Sequence, residues 1–301
     1  MLKGPTVAYP EKLPLELVRA QAQKTPGAVI VISEDGAGFG RKLRYQDLNT
    51  ETLGALIESV DAAVLQRRYV FLPHDPEAAL DDAAYIAYTS GSTGPKKAVL
   101  RTHRSLVQRL AWDAPQPSQL HCIYPFGLAR LVACLITGVP TVVMTDSPQG
   151  VTATLQGIAY SGATHLVLQS HLCERLLDKR IALPAVQRLV AMGSPLPASV
   201  ISRFRAVYPH ITLVDGYSST EAGYVMQDWE PVANVSIWIS DTKGKESPKG
   251  GVLVIEGPDV GLGYTNPDIA FADRGGGSHA FYSHDLAREV DGKIEFLGRA
   301  R

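Results

Sequence analysis

Between residues 28 and 215 the chain switches repeatedly between short β-branched runs and segments of helical periodicity, and this alternation limits its fold more than any other feature. Residues 130–137, 151–161, 171–177 and 198–206 carry apolar residues at helical spacing, and residues 140–144, 165–168, 186–191 and 212–215 read as strands between them. Strands separated by single helices need crossover connections, so they lie parallel in one sheet with helices on its faces. Upstream, residues 13–23, 48–64 and 105–112 read as helical, while 28–32 and 83–89 read as strands. After about residue 225 the pattern changes. Residues 235–239, 251–256, 281–282 and 293–296 are short strands separated by Gly, Pro and Asp turns with no helix of length between them. The expected fold class is α/β: mostly parallel sheet layers with flanking helices, then a small antiparallel β-barrel-like segment.

Bulk composition narrows the function classes. The 301 residues are 45% hydrophobic and 20% charged, with a formal net charge of −1. No global basic field is present to recruit nucleic acid or an anionic membrane, so any phosphate binding must be local. The N-terminus lacks the apolar run of a signal peptide, and the apolar stretch 128–144 is broken by Arg130, Gly138 and Pro140. A cytoplasmic protein is the expectation. Cys122, Cys134 and Cys173 show no metal-binding spacing and read as small buried hydrophobes.

Three local patterns carry chemistry. YTSGSTGPKK (residues 88–97) follows a strand, and its backbone N–H groups and hydroxyls suit a wrap around phosphate oxygens, with Lys96 or Lys97 supplying charge. Its glycine spacing and the absence of a hydroxyl after lysine exclude a GxxxxGK[ST] P-loop. A plain Gly/Ser turn with a solvated lysine pair is the competing reading. DGYSSTE (residues 215–221) also follows a strand: Tyr217 offers a flat face, Thr220 a hydroxyl and Glu221 a hard oxygen ligand, although Thr-Glu after a turn also suits a helix cap. FYSHDL (residues 281–286), followed by Asp291-Gly292 and Gly298-Arg299, places an acceptor-rich Asp285 near a hairpin turn.

Taken in order, these stretches resemble the adenylate-forming superfamily of acyl-CoA synthetases, luciferases and nonribosomal peptide synthetase adenylation domains. GGVLVIEGPDVGLGYTNPD is similar to that family's "GEL.I.GP.V..GY.N.P" segment, and FYSHDLAREVDGKIEFLGR to its "Y.TGDL....DG...F.GR" segment. TPGAVIV and LRYQDLN resemble two segments near its start. The resemblance implies ATP and Mg²⁺ as cofactors. Thr89, Ser90, Gly91, Ser92, Thr93, Gly94 and Lys97 would enclose the β- and γ-phosphates. Tyr217, with Asp215, Gly216, Ser218 and Ser194 around it, would take the adenine. Thr220 would touch the α-phosphate, Glu221 would hold the metal, and Asp285 with Arg299 would hold the ribose. Lys97, Thr220 and Glu221 would be the catalytic residues. The implied reaction turns a carboxylic acid into its acyl-adenylate for transfer to a carrier-protein or coenzyme A thiol; an acid–thiol ligase is the expected class. The alternative is a degenerate adenylation fold that binds nucleotide or a partner without turnover.

The chain departs from the pattern in three respects. The resemblance implies a small C-terminal domain with a bridging lysine beyond the hinge at Arg301, which leaves open a trimmed chain, a separate partner or lost chemistry. Only 38 residues, 50 to 87, separate LRYQDLN from YTSGSTG, so the N-terminal subdomain is expected to be abbreviated. Lys96-Lys97-Ala98 and Ser283-His284 replace the usual Pro-Lys-Gly and Thr-Gly. The expected division is residues 1–85, an abbreviated N-terminal α/β subdomain; 86–225, the nucleotide- and acyl-binding subdomain; and 226–301, a small β subdomain ending at the hinge. Pro125, Phe126, Met192, Gly193 and Ser194 are the candidate acyl-pocket residues. No carboxylate lies near Pro125 in sequence, so an acid without an α-amine is the expected substrate.

Overall fold

The computed structural model describes residues 1–33, 41–60, 69–89, 96–124, 127–144, 147, 149–241, 250–266, 270–275 and 278–299. Its centre is a nine-stranded sheet in which six consecutive strands run parallel. In spatial order these are Thr212–Ser219, Arg188–Met192, His165–Gln169, His121–Ile123, Thr141–Val143 and Val29–Ser33. Arg41–Arg44 closes one edge; Gly223–Gln227 and then Glu230–Pro231 extend the other, all antiparallel. Val29–Ser33 therefore shares a sheet with strands more than a hundred residues downstream.

Strand side chains alternate between the faces, which gives each face its own core. Cys122, Val142, Leu166 and Leu189 pack against the helices Val151–Tyr160, Ser170–Asp178 and Ala198–Val207. Ile123, Val143 and Val31 turn the other way, towards Leu128–Thr137, Pro14–Lys24 and Leu53–Ser59. Leu128–Thr137 is buried along most of its length and stops at Gly138, whose left-handed φ of 77° lets its N–H reach Cys134 O. Residues 105–112 form two short turns, Arg104–Val107 and Leu110–Asp113, rather than one helix. Cys122, Cys134 and Cys173 are all buried, and burial pushes the Cys122 and Cys173 thiols up to about 12. No helix among the described residues is long and apolar enough to cross a membrane.

Two smaller sheets frame the C-terminal ends of the parallel strands. Leu2–Lys3, Ser236–Ser240, Gly251–Gly257, Ser278–Val290 and Phe271–Gly275 form an antiparallel sheet, with Lys293–Arg299 paired to Ser278–Val290. This sheet is open among the described residues rather than barrel-like, and one face packs Ile237, Leu253 and Phe281 on Val190, Val214 and Val225. The other small sheet orders Gly263–Tyr264, Ala98–Thr102, Ala83–Tyr88 and Tyr69–Phe71.

At the opposite, N-terminal edge of the parallel sheet, His121 and His165 are ladder partners with ring centroids 4.8 Å apart. Burial, then neighbouring cations, holds His121 down to about 3 and His165 down to about 4. Both folded values lie below the unfolded value of about 6.5, so the unfolded state binds more protons between them, and stability falls as pH drops through that window. The shift at His121 alone corresponds to a loss of about 2–3 kcal/mol between pH 7 and 4.5, with a smaller addition from the half-exposed His165. Denaturant titrations at the two pH values test this: His121→Gln should flatten the dependence.

Candidate nucleotide site

The DGYSSTE motif sits where it does because one strand has two successive partners. Thr212–Ser219 runs parallel to Arg188–Met192 up to Asp215, where that neighbour ends, and then continues as the antiparallel partner of Gly223–Gln227. Gly216 to Ser219 thus project beyond the parallel sheet as ordered strand. No helix follows Glu221, so the helix-cap reading does not apply.

Tyr217 and Asp285 meet across the junction of two sheets. The Tyr217 hydroxyl donates to Asp285 Oδ2 at 2.5 Å, and Arg299 Nε donates to Oδ1 at 2.9 Å. Asp285 and Arg299 are ladder partners in the hairpin closed by Asp291-Gly292, both with positive φ. Asp285 is 6% exposed, with its own N–H donating to Ser283 Oγ at 3.1 Å. Burial and the adjacent Asp285 carboxylate raise Tyr217 well above the usual phenol range. His284 is exposed and does not crowd the pair.

Glu221 and Lys97 meet through Tyr264, which is not among the candidate site residues. Tyr264 donates its hydroxyl to Glu221 Oε1 at 2.8 Å, and Lys97 Nζ lies 4.5 Å from the centroid of the same ring. Tyr264 is placed by Gly263–Tyr264 pairing with Ala98–Thr102, and Gly261 N–H donates to Glu221 O at 2.8 Å. Lys97 also closes the base of the phosphate-loop candidate: Thr89 N donates to Lys97 O at 3.0 Å and Lys97 N to Thr89 Oγ1 at 2.9 Å. Ser90, Gly91, Ser92, Thr93 and Gly94 lie outside the described residues, as do Pro125 and Phe126 of the acyl pocket.

The remaining candidates divide. Thr220 is anchored by its carbonyl, which accepts from Arg101 Nη1 at 2.6 Å. Ser218 donates to Met192 Sδ at 3.4 Å, and Ser194 O accepts from Ser170 Oγ beside Gly193, whose φ is +98°. Asp215 is not joined to this group. Its Oδ2 accepts from Leu196 N and, at 3.1 Å, from Trp229 Nε1, and burial raises its carboxyl above the usual range. Trp229 holds a left-handed φ of 68°, unusual for so bulky a side chain, in the two-residue turn that brings its indole back onto Asp215. Tyr264 has a legible signal in the sequence, the GY pair in GLGYTNPD; Arg101 and Trp229 have none.

With this geometry in place, the comparisons with known proteins are specific. Residues 7–265 match the family model of the AMP-binding enzymes, and the chain belongs to that family. It is 28% identical over 253 residues to tyrocidine synthase 3 of Brevibacillus parabrevis, covering 73% of this chain and 4% of that one. It is also 28% identical over 341 residues to N-(5-amino-5-carboxypentanoyl)-L-cysteinyl-D-valine synthase of Streptomyces clavuligerus, covering 95% of this chain and 41% of that one. The chain thus spans less than half the length of either relative. The nonribosomal peptide synthetase FmoA3 superposes with a TM-score of 0.75 at 20% identity, covering 99% of this chain and 43% of that one. A long-chain-fatty-acid-CoA ligase, FadD1 from Archaeoglobus fulgidus, superposes with a TM-score of 0.74 at 14% identity, covering 100% and 86%.

Proposed function

We propose that the chain is the nucleotide-holding part of an adenylate-forming ligase, which activates a carboxylic acid without an α-amine for transfer to a carrier-protein or coenzyme A thiol. The supporting observation is that Tyr217–Asp285–Arg299 and Glu221–Tyr264–Lys97 are two contact groups rooted in one strand and the turn that follows it. The residues fit ATP. Each oxygen of Asp285 accepts one protein hydrogen bond, which leaves a lone pair on each for the ribose hydroxyls. The Tyr217 ring, half-buried, supplies the face for the base, with Gly216 beside it. No group of three His, Cys, Asp or Glu side chains gathers among the described residues, so Mg²⁺ would rest on Glu221 and the phosphate oxygens, the usual manner for that ion. When bound, it supplies charge neutralisation on the phosphates.

The chain's own residues then position and neutralise. Asp285 and Tyr217 fix the nucleoside, and Lys97, at the base of the 88–97 loop, supplies positive charge to the departing pyrophosphate. Thr220 orients the α-phosphate, held rigid through Arg101. One oxygen of the acid forms a bond to the α-phosphorus as the bond to the β-phosphate oxygen breaks, and pyrophosphate leaves with that electron pair.

Carboxylate-dependent ATP–pyrophosphate exchange by the complete encoded protein is the test. Nucleotide binding without exchange for any acid would leave only the non-catalytic module reading. Glu221→Ala should weaken MgATP binding about tenfold or more while moving the unfolding midpoint little, since Glu221 is half-exposed and its carboxylate is tied to the fold through the Tyr264 hydroxyl. Equal losses in affinity and stability would make it a structural brace.

A further inference from the structure

Beneath the Gly216 strand lies a concentration of buried positive charge that the nucleotide site does not use. Arg109 and Arg130 both pair with the carboxylate of Asp113, Arg109 at 2.9 Å. Arg188 reaches Gln227 Oε1 at 2.7 Å. Asp228, nearby in sequence, has an oxygen committed to Asp215 N at 3.0 Å, and Asp259 is committed to Arg101. Among the described residues two of the three guanidiniums therefore share the Asp113 carboxylate and Arg188 is bonded to a neutral amide, while the two histidines beside them are held neutral by burial. The Nε atoms of Arg109, Arg130 and Arg188 are all buried without a hydrogen-bond partner, as is the hydroxyl of Tyr224. The Arg130 side chain is only 5% exposed.

The arrangement abuts the strand that carries Tyr217. Gln227, which holds Arg188, is the ladder partner of Gly216. A Cβ on Gly216 would lie 2.8 Å from Tyr224 Oη and 2.9 Å from Val190 Cγ1, so the glycine lets its strand pack directly on the Tyr224 side of the cluster. Tyr224 stacks on Trp112 at 4.6 Å, and Arg109 lies over Trp112 at 4.6 Å, which makes a rigid wall. Between His121, Arg130, His165, Arg188 and Val190 lies a cavity of about 10 Å³, room for one oxygen-sized group.

Guanidinium groups stay charged in proteins, and a buried charge without a counter-charge is costly. An anionic oxygen entering this cavity removes that cost and satisfies donors left open. The geometry points to a second, distal carboxylate on the acid substrate, bound by Arg130 and Arg188 with Arg109 behind them. The inference rests on the proposed acid-activating function and narrows its substrate class to dicarboxylic acids. Burial holds Arg109 down to about 10 and Arg130 below the ordinary arginine range, the direction that follows from incomplete pairing.

The test compares unbranched dicarboxylic acids from malonate to adipate with monocarboxylic acids of equal chain length, in ATP–pyrophosphate exchange by the complete encoded protein. At one chain length the dicarboxylate is expected to have at least a tenfold higher kcat/KM. Arg188→Met, which leaves both Asp113 ion pairs intact, should lose that preference while monocarboxylate activity holds or rises. Equal kcat/KM for both acids, or an equal fall for both in Arg188→Met, overturns the inference and leaves the adenylation reading standing. If no acid supports exchange, the adenylation reading fails. Thermal unfolding then judges the cluster separately: a saturable rise in midpoint with a dicarboxylate, absent with monocarboxylates and sodium chloride, supports the site. No rise, or an equal rise with chloride, overturns it.

Discussion

Asp285→Asn is expected to lower nucleotide affinity and exchange about a hundredfold while shifting the unfolding midpoint by only a few degrees. The side chain keeps its shape but exchanges one acceptor oxygen for a donor, so it can no longer accept from Tyr217, Arg299 and two ribose hydroxyls together. A hundredfold is about 2.7 kcal/mol, the size of one or two hydrogen bonds to a charged acceptor. The stability change should be small because the Arg299 side chain is 57% exposed and its ion pair with Asp285 is screened. Isothermal titration with ATP beside a thermal melt separates the two effects. A large fall in midpoint with affinity unchanged would mean that Asp285 merely clamps the junction of the two sheets.

The meeting of Asp285 and Arg299 is largely legible in the sequence. The Asp291-Gly292 turn between two alternating runs sets a hairpin register that brings Asp285 opposite Arg299, with one irregularity at Leu286/Ala287. The parallel sheet is legible for a similar reason, since its strands are apolar runs separated by segments of helical periodicity. The fold's short strands are not. Arg41–Arg44 is charged and mostly exposed, and Tyr69–Phe71 and His121–Ile123 have three residues each, too few for a period to show. Apolar patterning ends the strand from Thr212 at Asp215, whereas the chain stays extended to Ser219, because a strand that changes partner midway has two different burial patterns along its length. The expected barrel shape of the last segment gives way to an open sheet among the described residues. Its strands show ordinary alternation, and nothing in a strand's own sequence states whether the first and last of a set will pair.

The arginine clusters are the least legible part. Arg109, Arg130 and Arg188 fall in three separate elements, and each looks like an ordinary surface cation in its local pattern. Only the packing of Leu128–Thr137 over one sheet face, with the Gly223–Gln227 strand extending that sheet, brings them together. Arg101 and Asp259 are 158 residues apart and illustrate the same point.

That last pair carries the largest expected stability effect. Asp259→Ala should destabilise the fold by about 3–5 kcal/mol, because it leaves the Arg101 guanidinium buried without its counter-charge. The Arg101 side chain is 5% exposed, and Asp259 also accepts from Tyr224 N at 3.3 Å. Gly223, at φ +67°, passes so close that a Cβ there would overlap the Asp259 carboxylate, so no side chain could replace the lost contact without rearrangement. The double variant Arg101→Met/Asp259→Leu, which removes both charges, should recover much of the loss. It should not recover nucleotide affinity, since Thr220 O loses the Arg101 donor that positions the turn before Glu221. Denaturant unfolding of the two single variants and the double measures the first effect, and ATP titration of the double variant measures the second. A double variant with restored stability and full ATP affinity would show that Arg101 holds the fold together without setting the geometry of Thr220 and Glu221.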